Sequence, residues 1–176
     1  MHNPDHLCPN YIDLRDLLSA ICYKMPRILW HNVAMLPASS HHQQIGQWLG
    51  LRPPQSEREL LDIVEHQLPA SSIKRLLALG ITRAEVDALV IPLRTLQHRR
   101  SRHQKLTVDE SDRVLRVMRV LSQAEDLYGS RERALGWLRH ANPGLGNRAP
   151  LELLKTDAGS RIVDELLLQI DEGMFV

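Results

Sequence analysis

The sequence predicts an all-α fold, and three observations carry that prediction. A Ser or Thr stands three residues ahead of a Glu, the capping-box pattern with which helices begin, at three places: Ser56 and Glu59, Thr82 and Glu85, and Thr107 and Glu110. Apolar residues recur at steps of three and four along most of the chain. Aromatic residues make up only 4% of it while leucine is abundant, which favours packed helices over a sheet.

Length and composition limit the class of protein. The 176 residues suffice for one or two small domains, and a hydrophobic content of 43% argues against a disordered chain. No apolar run approaches the about 18 residues of a membrane-spanning helix, so no membrane is expected, and no signal peptide is recognised. Cys8 and Cys22 match no metal spacing, which favours a reduced, cytoplasmic protein.

Residues 1–55 read as an N-terminal extension. Residues 11–22 have the pattern of a helix, whereas residues 28–36 fit a short strand or a bent helix equally well. Residues 37–44 look like a linker, and we expect the pair His41 and His42 to lie in a surface loop rather than to bind metal. A short amphipathic turn follows at residues 43–51, and Pro53-Pro54 marks a boundary.

From residue 56 the helix signals are clear. Caps, apolar spacing and stop residues predict successive helices at residues 56–68, 71–80, 82–89, 93–103, 107–129, 130–138, 150–154 and 156–173. The helix at 107–129 is the longest: Thr107 and Glu110 cap it, Gly129 ends it, and its apolar stripe consists of Val114, Val117, Met118, Leu121, Ala124 and Tyr128. No strand is expected in this part.

A helix–turn–helix is the first pattern with a functional meaning. Residues 82–89 would be the supporting helix, 90–92 the turn and 93–103 the recognition helix, with Leu93 and Leu96 facing inward. The side chains expected to face DNA are Arg94, Thr95, His98, Arg99 and Arg102. Residues 74–105 hold eight basic and two acidic residues, a net charge of +6, which is the electrostatic footprint of a nucleic-acid-binding surface. A solvated basic helix in a plain helical domain fits the same pattern.

The C-terminal end has the opposite charge. Residues 150–176 contain two basic and six acidic residues, a net charge of −4, so this end should not bind DNA. Short amphipathic helices of this kind suit docking to a protein, although a helical cap that only stabilises the fold is the simpler reading.

The sequence contains no pattern typical of an enzyme active site. Ser160 lies in no Gly-x-Ser-x-Gly elbow, and Gly144-Leu145-Gly146 is too short for a dinucleotide-binding loop and follows no strand. We therefore expect neither catalytic residues nor a cofactor nor a bound metal.

The same residues carry a family resemblance. Ile91-Pro92-Leu93-Arg94-Thr95-Leu96-Gln97-His98-Arg99, with Leu106, Glu110-Ser111-Asp112-Arg113 and Arg116, resembles the helix–turn–helix of the Xre/MbcA/ParS antitoxins. The run from Ala134-Leu135-Gly136-Trp137-Leu138 through Asn142-Pro143-Gly144-Leu145-Gly146 and Pro150-Leu151-Glu152-Leu153-Leu154 to Thr156 and Gly159 is similar to the toxin-binding domain of that family. The resemblance spans residues 58–174. Two positions depart from it: Leu93 stands where the family often has a cation, and Asn147 where it often has glycine.

The resemblance implies a type II toxin–antitoxin system. The partner would be a RES-domain toxin that depletes NAD⁺, whose active site this chain would cover, and the helix–turn–helix would bind operator DNA and repress the operon. The surface expected to contact the toxin comprises Trp137, Asn142, Pro143, Leu145, Gly146, Thr156, Gly159, Arg161, Gly173, Met174, Phe175 and Val176. A stand-alone transcription regulator without a toxin is the alternative.

The resulting domain plan has three parts. Residues 1–55 are an extension for dimerisation or partner contact, 56–117 an Xre-like helix–turn–helix domain, and 118–176 a toxin-binding domain. A two-fold operator requires a homodimer, here within a larger complex with the toxin. Residues 11–36 are a candidate dimer surface because their leucines would otherwise lack a partner.

Overall fold

The computed structural model describes residues 39–174, and this part of the chain is helical. Its helices are α1 (Ser39–Leu49), α2 (Glu57–Glu65), α3 (Ser72–Ala78), α4 (Arg83–Leu89), α5 (Leu93–Ser101), α6 (Val108–Tyr128), α7 (Arg131–Arg139), α8 (Pro150–Leu153) and α9 (Asp157–Asp171), with a 3-10 turn at Pro143–Leu145. No strand forms within these residues, where two isolated bridges pair Pro69 with Lys105 and Asn142 with Arg148. The predicted all-α fold is confirmed.

Helix α6 is the centre of the fold. It contacts α1, α2, α3, α7 and α9. The predicted stripe from Val114 to Ala124 is buried, and Tyr128 at its end is half-buried. Leu115, Val120 and Ser122 are buried as well, so α6 is covered on several sides. One amphipathic stripe predicts a helix lying on a core, whereas this helix passes through the core.

Most predicted caps are present. Thr82 and Thr107 each form the complete capping box with Glu85 and Glu110. Ser130 and Thr156 cap α7 and α9 through their side chains, and Gly129 ends α6 in the left-handed conformation with φ of 72°. These local signals set helix boundaries because each one satisfies backbone groups that the helix leaves unpaired.

Two caps differ from their predictions. Ser56 accepts a hydrogen bond from Glu59 N, but Glu59 Oε2 accepts from Gln55 N rather than from Ser56, so the box is incomplete. Ser71 precedes α3 without a side-chain cap. The helix predicted up to residue 68 ends at Glu65, and Gln67 turns the chain with φ of 59°.

The predicted linker at residues 37–44 is wrong from Ser39 onward, because α1 begins there. His41 Nδ1 lies 3.0 Å from Ser122 Oγ and 3.2 Å from Asp126 Oδ2. His42 Nε2 lies 2.7 Å from Glu57 Oε2. Both histidines are half-buried, so they hold α1 against α2 and α6 instead of lying in a loop. The carboxylates beside them come from distant positions, which local sequence could not show.

Leu93 is a second correction. It is exposed at the start of α5, and Leu96 is the residue of that helix that enters the core. Ile162 is likewise exposed, although it belongs to the predicted apolar stripe of α9. Among residues 39–174, no helix is both long enough and apolar enough to cross a membrane.

Several predictions fall outside the residues that the structure describes. These are the helix at 11–22, the segment at 28–36 with the dimer surface placed there, and Phe175 and Val176 of the expected toxin contact.

Candidate functional site

Helices α4 and α5 form the predicted helix–turn–helix. Val90 and Ile91 of the turn are buried, and Asp87 Oδ1 accepts a hydrogen bond of 2.7 Å from Leu93 N. A side chain of the supporting helix thus satisfies a backbone donor at the first residue of α5. The angle between the two helices is fixed by this bond and by the buried turn.

The exposed face of α5 is basic. Arg94 and His98 of α5, and Arg102 directly after its last residue, are spaced by four and all exposed, and Thr95 is half-buried. Residues at this spacing lie along one side of a helix. The structure therefore brings four of the five predicted DNA-facing residues to one solvent-facing surface.

Arg99, the fifth, lies elsewhere. Its Nη2 donates to Glu110 Oε1 at 3.0 Å, its Nε lies 3.0 Å from Glu110 Oε2, and its Nη1 donates to Lys105 O. Glu110 also accepts from Thr107 N within the capping box of α6. Arg99 thus attaches α5 to α6. Its acidic partner is eleven positions away, a distance that no helical pattern covers.

A second attachment joins the two halves of the fold. Arg139, the last residue of α7, donates to both carboxylate oxygens of Glu85 at 2.7 and 2.9 Å and to Gly80 O at 2.8 Å. Partial burial acts to raise the pKa of the Glu85 carboxyl, but hydrogen bonds from Arg139 and Thr82 outweigh it and hold that pKa below its ordinary value. The same contact raises the pKa of Arg139. We call this contact the Glu85–Arg139 strut.

The loop after α7 is a tightly bonded turn. Asn142 Oδ1 accepts from Gly144 N at 2.8 Å, and the Asn142 carbonyl accepts from Asn147 N at 3.0 Å. Gly146 and Asn147 have φ of 64° and 60°, which explains why asparagine is tolerated where the family often has glycine. Pro143 and Gly146 are exposed, whereas Leu145 is buried, so Leu145 anchors the loop to the core.

Trp137 packs on the end of α6. Its ring lies 5.6 Å from that of Tyr128, tilted by 34°, and burial raises the pKa of the Tyr128 hydroxyl to about 12. Trp137 itself is half-buried, so part of its side chain is exposed to solvent.

The start of α9 brings further predicted residues to the surface. Thr156 is exposed and caps the helix by accepting from Gly159 N at 3.1 Å. Arg161 is 80% exposed and pairs with Asp157 at 3.0 Å. Gly159 is buried, and a Cβ there would clash with Leu153 O, so this glycine allows α8 and α9 to pack closely. Gly173 and Met174 are exposed.

Two apolar side chains on α9 were not among the predicted site residues. Ile162 is 51% exposed and Leu168 56% exposed. Gly144 lies close to Leu166 on this helix, since a Cβ on Gly144 would stand 3.6 Å from Leu166 Cδ1. Ile162 lies one turn before Leu166 on the same helix. The sequence did contain a signal for Ile162, because the predicted apolar stripe of α9 includes more residues than the structure buries.

Comparison with known proteins matches both halves. The family described as the antitoxin Xre-like helix-turn-helix domain matches residues 59–119, and the antitoxin Xre/MbcA/ParS C-terminal toxin-binding domain matches residues 123–173. The chain belongs to the Xre/MbcA/ParS antitoxin family. The matched helix-turn-helix region thus contains the basic face of α5, and the matched toxin-binding region contains the Asn142–Gly146 loop and α9.

Individual relatives are also named as antitoxins. A protein named Antitoxin Xre from Pseudomonas putida is 42% identical over 93 residues, 53% of this chain and 58% of the relative. Another from Yersinia enterocolitica is 37% identical over 98 residues, 54% of this chain and 66% of the relative. A Sphingobium protein named Prs ADP-ribosylating antitoxin is 29% identical over 126 residues, 65% of this chain and 79% of the relative. The chain thus spans less than two thirds of the length of these two Xre relatives.

Proposed function

We propose that this protein is an antitoxin that neutralises a RES-type, NAD⁺-depleting toxin and represses its own operon. The observation that carries the proposal is the match of residues 123–173 to a toxin-binding domain, combined with the exposed apolar side chain of Ile162 in that region. The protein acts by binding, without catalysis and without a cofactor, in the cytoplasm.

The proposed toxin contact is a patch centred on Ile162. It also includes the exposed residues Pro143 and Gly146 of the loop and Thr156 and Arg161 at the start of α9. A central apolar side chain within a polar rim is the usual anatomy of a protein interface. The loop hydrogen bonds keep the patch rigid, so little conformational entropy is lost on binding.

The acidic end supplies long-range attraction. A toxin that binds a dinucleotide needs cations for its phosphates, and the exposed carboxylates Asp171 and Glu172 of this chain complement such a surface. Charge complementarity of this kind raises association rates and selects partners. Covering the entrance of the toxin's active site would then exclude the dinucleotide.

The basic face of α5 binds the operator. Arg94 and Thr95 lie on the first turn of α5, the end of a recognition helix that contacts base edges, and His98 and Arg102 follow along the groove. Arginine reads guanine through two acceptors, and any cation there pairs with phosphate. A two-fold operator is bound by two copies of the chain, within a complex that also holds the toxin.

The decisive experiment is co-expression with the product of the adjacent gene. Cellular NAD⁺ and growth are measured with the neighbour alone, with the neighbour and this chain, and with an Ile162→Asp variant of this chain. We expect the neighbour to deplete NAD⁺, this chain to restore it, and the variant to fail. Val108→Asp, at an exposed apolar residue of α6 in the helix–turn–helix region, is the matched control and should still protect.

A harmless neighbour would refute the antitoxin proposal and leave a stand-alone transcription regulator as the better account. Loss of protection by both variants would show a general effect on folding and would remove Ile162 from the contact.

The name of the Sphingobium relative suggests a second chemistry for the toxin. ADP-ribosylation also consumes NAD⁺, because the ADP-ribose unit is transferred and nicotinamide is released. Mass analysis of cellular proteins in the same cultures separates the two cases. A RES-type hydrolysis leaves proteins unmodified, whereas an ADP-ribosylating toxin adds an ADP-ribose mass that this chain should prevent.

A further inference from the structure

A groove lies between α2 and α6. Its volume is about 540 Å³, and its floor consists of the buried side chains of Leu60, Val64 and Leu115. Leu61 on its rim is 54% exposed. The charged residues that line it are balanced, two acidic and two basic: Glu57, Asp112, Arg58 and Arg119.

The solvent-facing side of α2 has a distinctive order of charges. Arg58, Leu61 and Glu65 are spaced by three and four residues, so they lie on one face of the helix. All three are exposed, and neither Arg58 nor Glu65 forms an ion pair with any residue between 39 and 174. A cation therefore precedes an exposed leucine and an anion follows it.

This order is complementary to itself. If two α2 helices pack antiparallel about a two-fold axis near Leu61, Arg58 of each copy stands opposite Glu65 of the other. Two ion pairs then flank a central pair of leucines, which is the arrangement of an isologous interface. The grooves receive the leucines, whose exposed surface is removed from water.

We propose that α2 and its groove form the two-fold dimer contact between two copies of this chain. Neither DNA nor the toxin fits as well. The groove is electrically balanced, unlike the phosphate-binding face of α5, and its residues fall outside the matched toxin-binding region at 123–173. Operator binding, as proposed above, is the reason to expect a dimer. The choice of α2 as the dimer interface rests on the order of charges along this helix.

The first test removes the apolar centre. Leu61→Asp should weaken the dimer by about 30-fold or more, since a carboxylate would be buried in place of a leucine. Leu168→Asp, at a leucine of nearly equal exposure (56%) on α9, should leave it unchanged. Molar mass in solution is measured by sedimentation equilibrium with the full chain and without DNA or toxin.

The second test uses the charges. Arg58→Glu and Glu65→Arg should each weaken self-association, because each sets like charges opposite one another in both halves of the contact. Neither should unfold α2, since an acid at its start and a base at its end both suit the helix dipole. The double variant should regain the dimer, and an equimolar mixture of the two single variants should form a mixed dimer.

Several outcomes would overturn the proposal. These are a wild-type chain that stays monomeric up to about 100 μM, a Leu61→Asp variant as dimeric as wild type, or single charge variants that fail to pair on mixing. A Leu61→Asp variant that keeps the wild-type mass but no longer protects against the toxin would assign the groove to the toxin. Toxin protection is scored separately, so failure of the dimer contact leaves the proposed function standing.

Discussion

Breaking the Glu85–Arg139 strut should destabilise the protein measurably, and the structure indicates by how much. Arg139 donates three hydrogen bonds, two of them to a carboxylate of which 19% is exposed, while its own side chain is 37% exposed. Hydrogen bonds to charged groups contribute about 1.5–3 kcal/mol when buried, and exposed ion pairs about 0.2–1 kcal/mol. Discounting for solvent at Arg139, we expect Arg139→Ala to cost about 1–2 kcal/mol.

Chemical denaturation at pH 7 measures this cost, and a double-mutant cycle with Glu85→Gln isolates the pair. The coupling energy should be about 1 kcal/mol. Arg161→Ala is the matched control, because that arginine is 80% exposed and pairs with the exposed Asp157. Its loss should change the free energy of unfolding by less than about 0.5 kcal/mol.

The pH dependence gives an independent check. Because the folded protein holds the pKa of Glu85 below its ordinary value of 4.5, the contribution of the pair is present above that pH. It is lost as the pH falls from there through the lower pKa of the folded state. The stability difference between wild type and Arg139→Ala should therefore shrink at acid pH. A coupling energy near zero at pH 7, or a difference that stays constant on acidification, would refute the reasoning.

Three further predictions concern the two surfaces and the packing of α9. Arg94→Ala should weaken operator binding by about 1–3 kcal/mol if Arg94 contacts a base. The affinity of the wild-type protein should fall with salt, with a log–log slope of about −0.9 per phosphate contact. Fluorescence anisotropy titrations measure both, and a slope near zero would contradict the DNA proposal. Gly159→Ala should lower the free energy of unfolding by about 3 kcal/mol or more, because its Cβ would meet Leu153 O. Gly136→Ala should be neutral or stabilising, because a Cβ added at Gly136 would meet no other atom. Thermal denaturation measures the stability of both variants. Neutralising Asp171 and Glu172 together should slow toxin association most at low salt, whereas Asp109→Asn should not; an unchanged association rate would exclude the acidic end from the contact.

The sequence predicted the helices well because their ends are fixed locally. Capping boxes at Thr82 and Thr107, and the cap at Thr156, involve residues three positions apart, and their hydrogen bonds form within one helical turn. Such a signal does not depend on the rest of the fold. It failed at Ser56, where Glu59 could reach the neighbouring Gln55 N instead.

The roles of individual residues were harder to predict because they depend on partners far away in the chain. Arg99 looked like a DNA contact from its helix position, yet it is held by Glu110. The sequence predicted a loop at His41 and His42, whereas in the structure they contact Ser122 and Glu57, which lie far away in the chain. The sequence placed Leu145 in a turn-rich loop, whereas the structure buries its side chain in the core. Burial and long-range pairing are properties of the assembled helices, which a single sequence does not report.

The two matched regions share one core, and this constrains how their functions can be separated. The residues between them, 120–122, lie inside α6 and are all buried, so no exposed linker divides the regions. We therefore expect one cooperative unfolding transition for this part of the chain. A core substitution in either region would lower operator binding and toxin protection together. Only substitutions of exposed side chains such as Arg94, Ile162 and Leu61 can change one interface alone. Three separate surfaces would be established if the Arg94 variant changed only DNA binding, the Ile162 variant only toxin protection and the Leu61 variant only the molar mass.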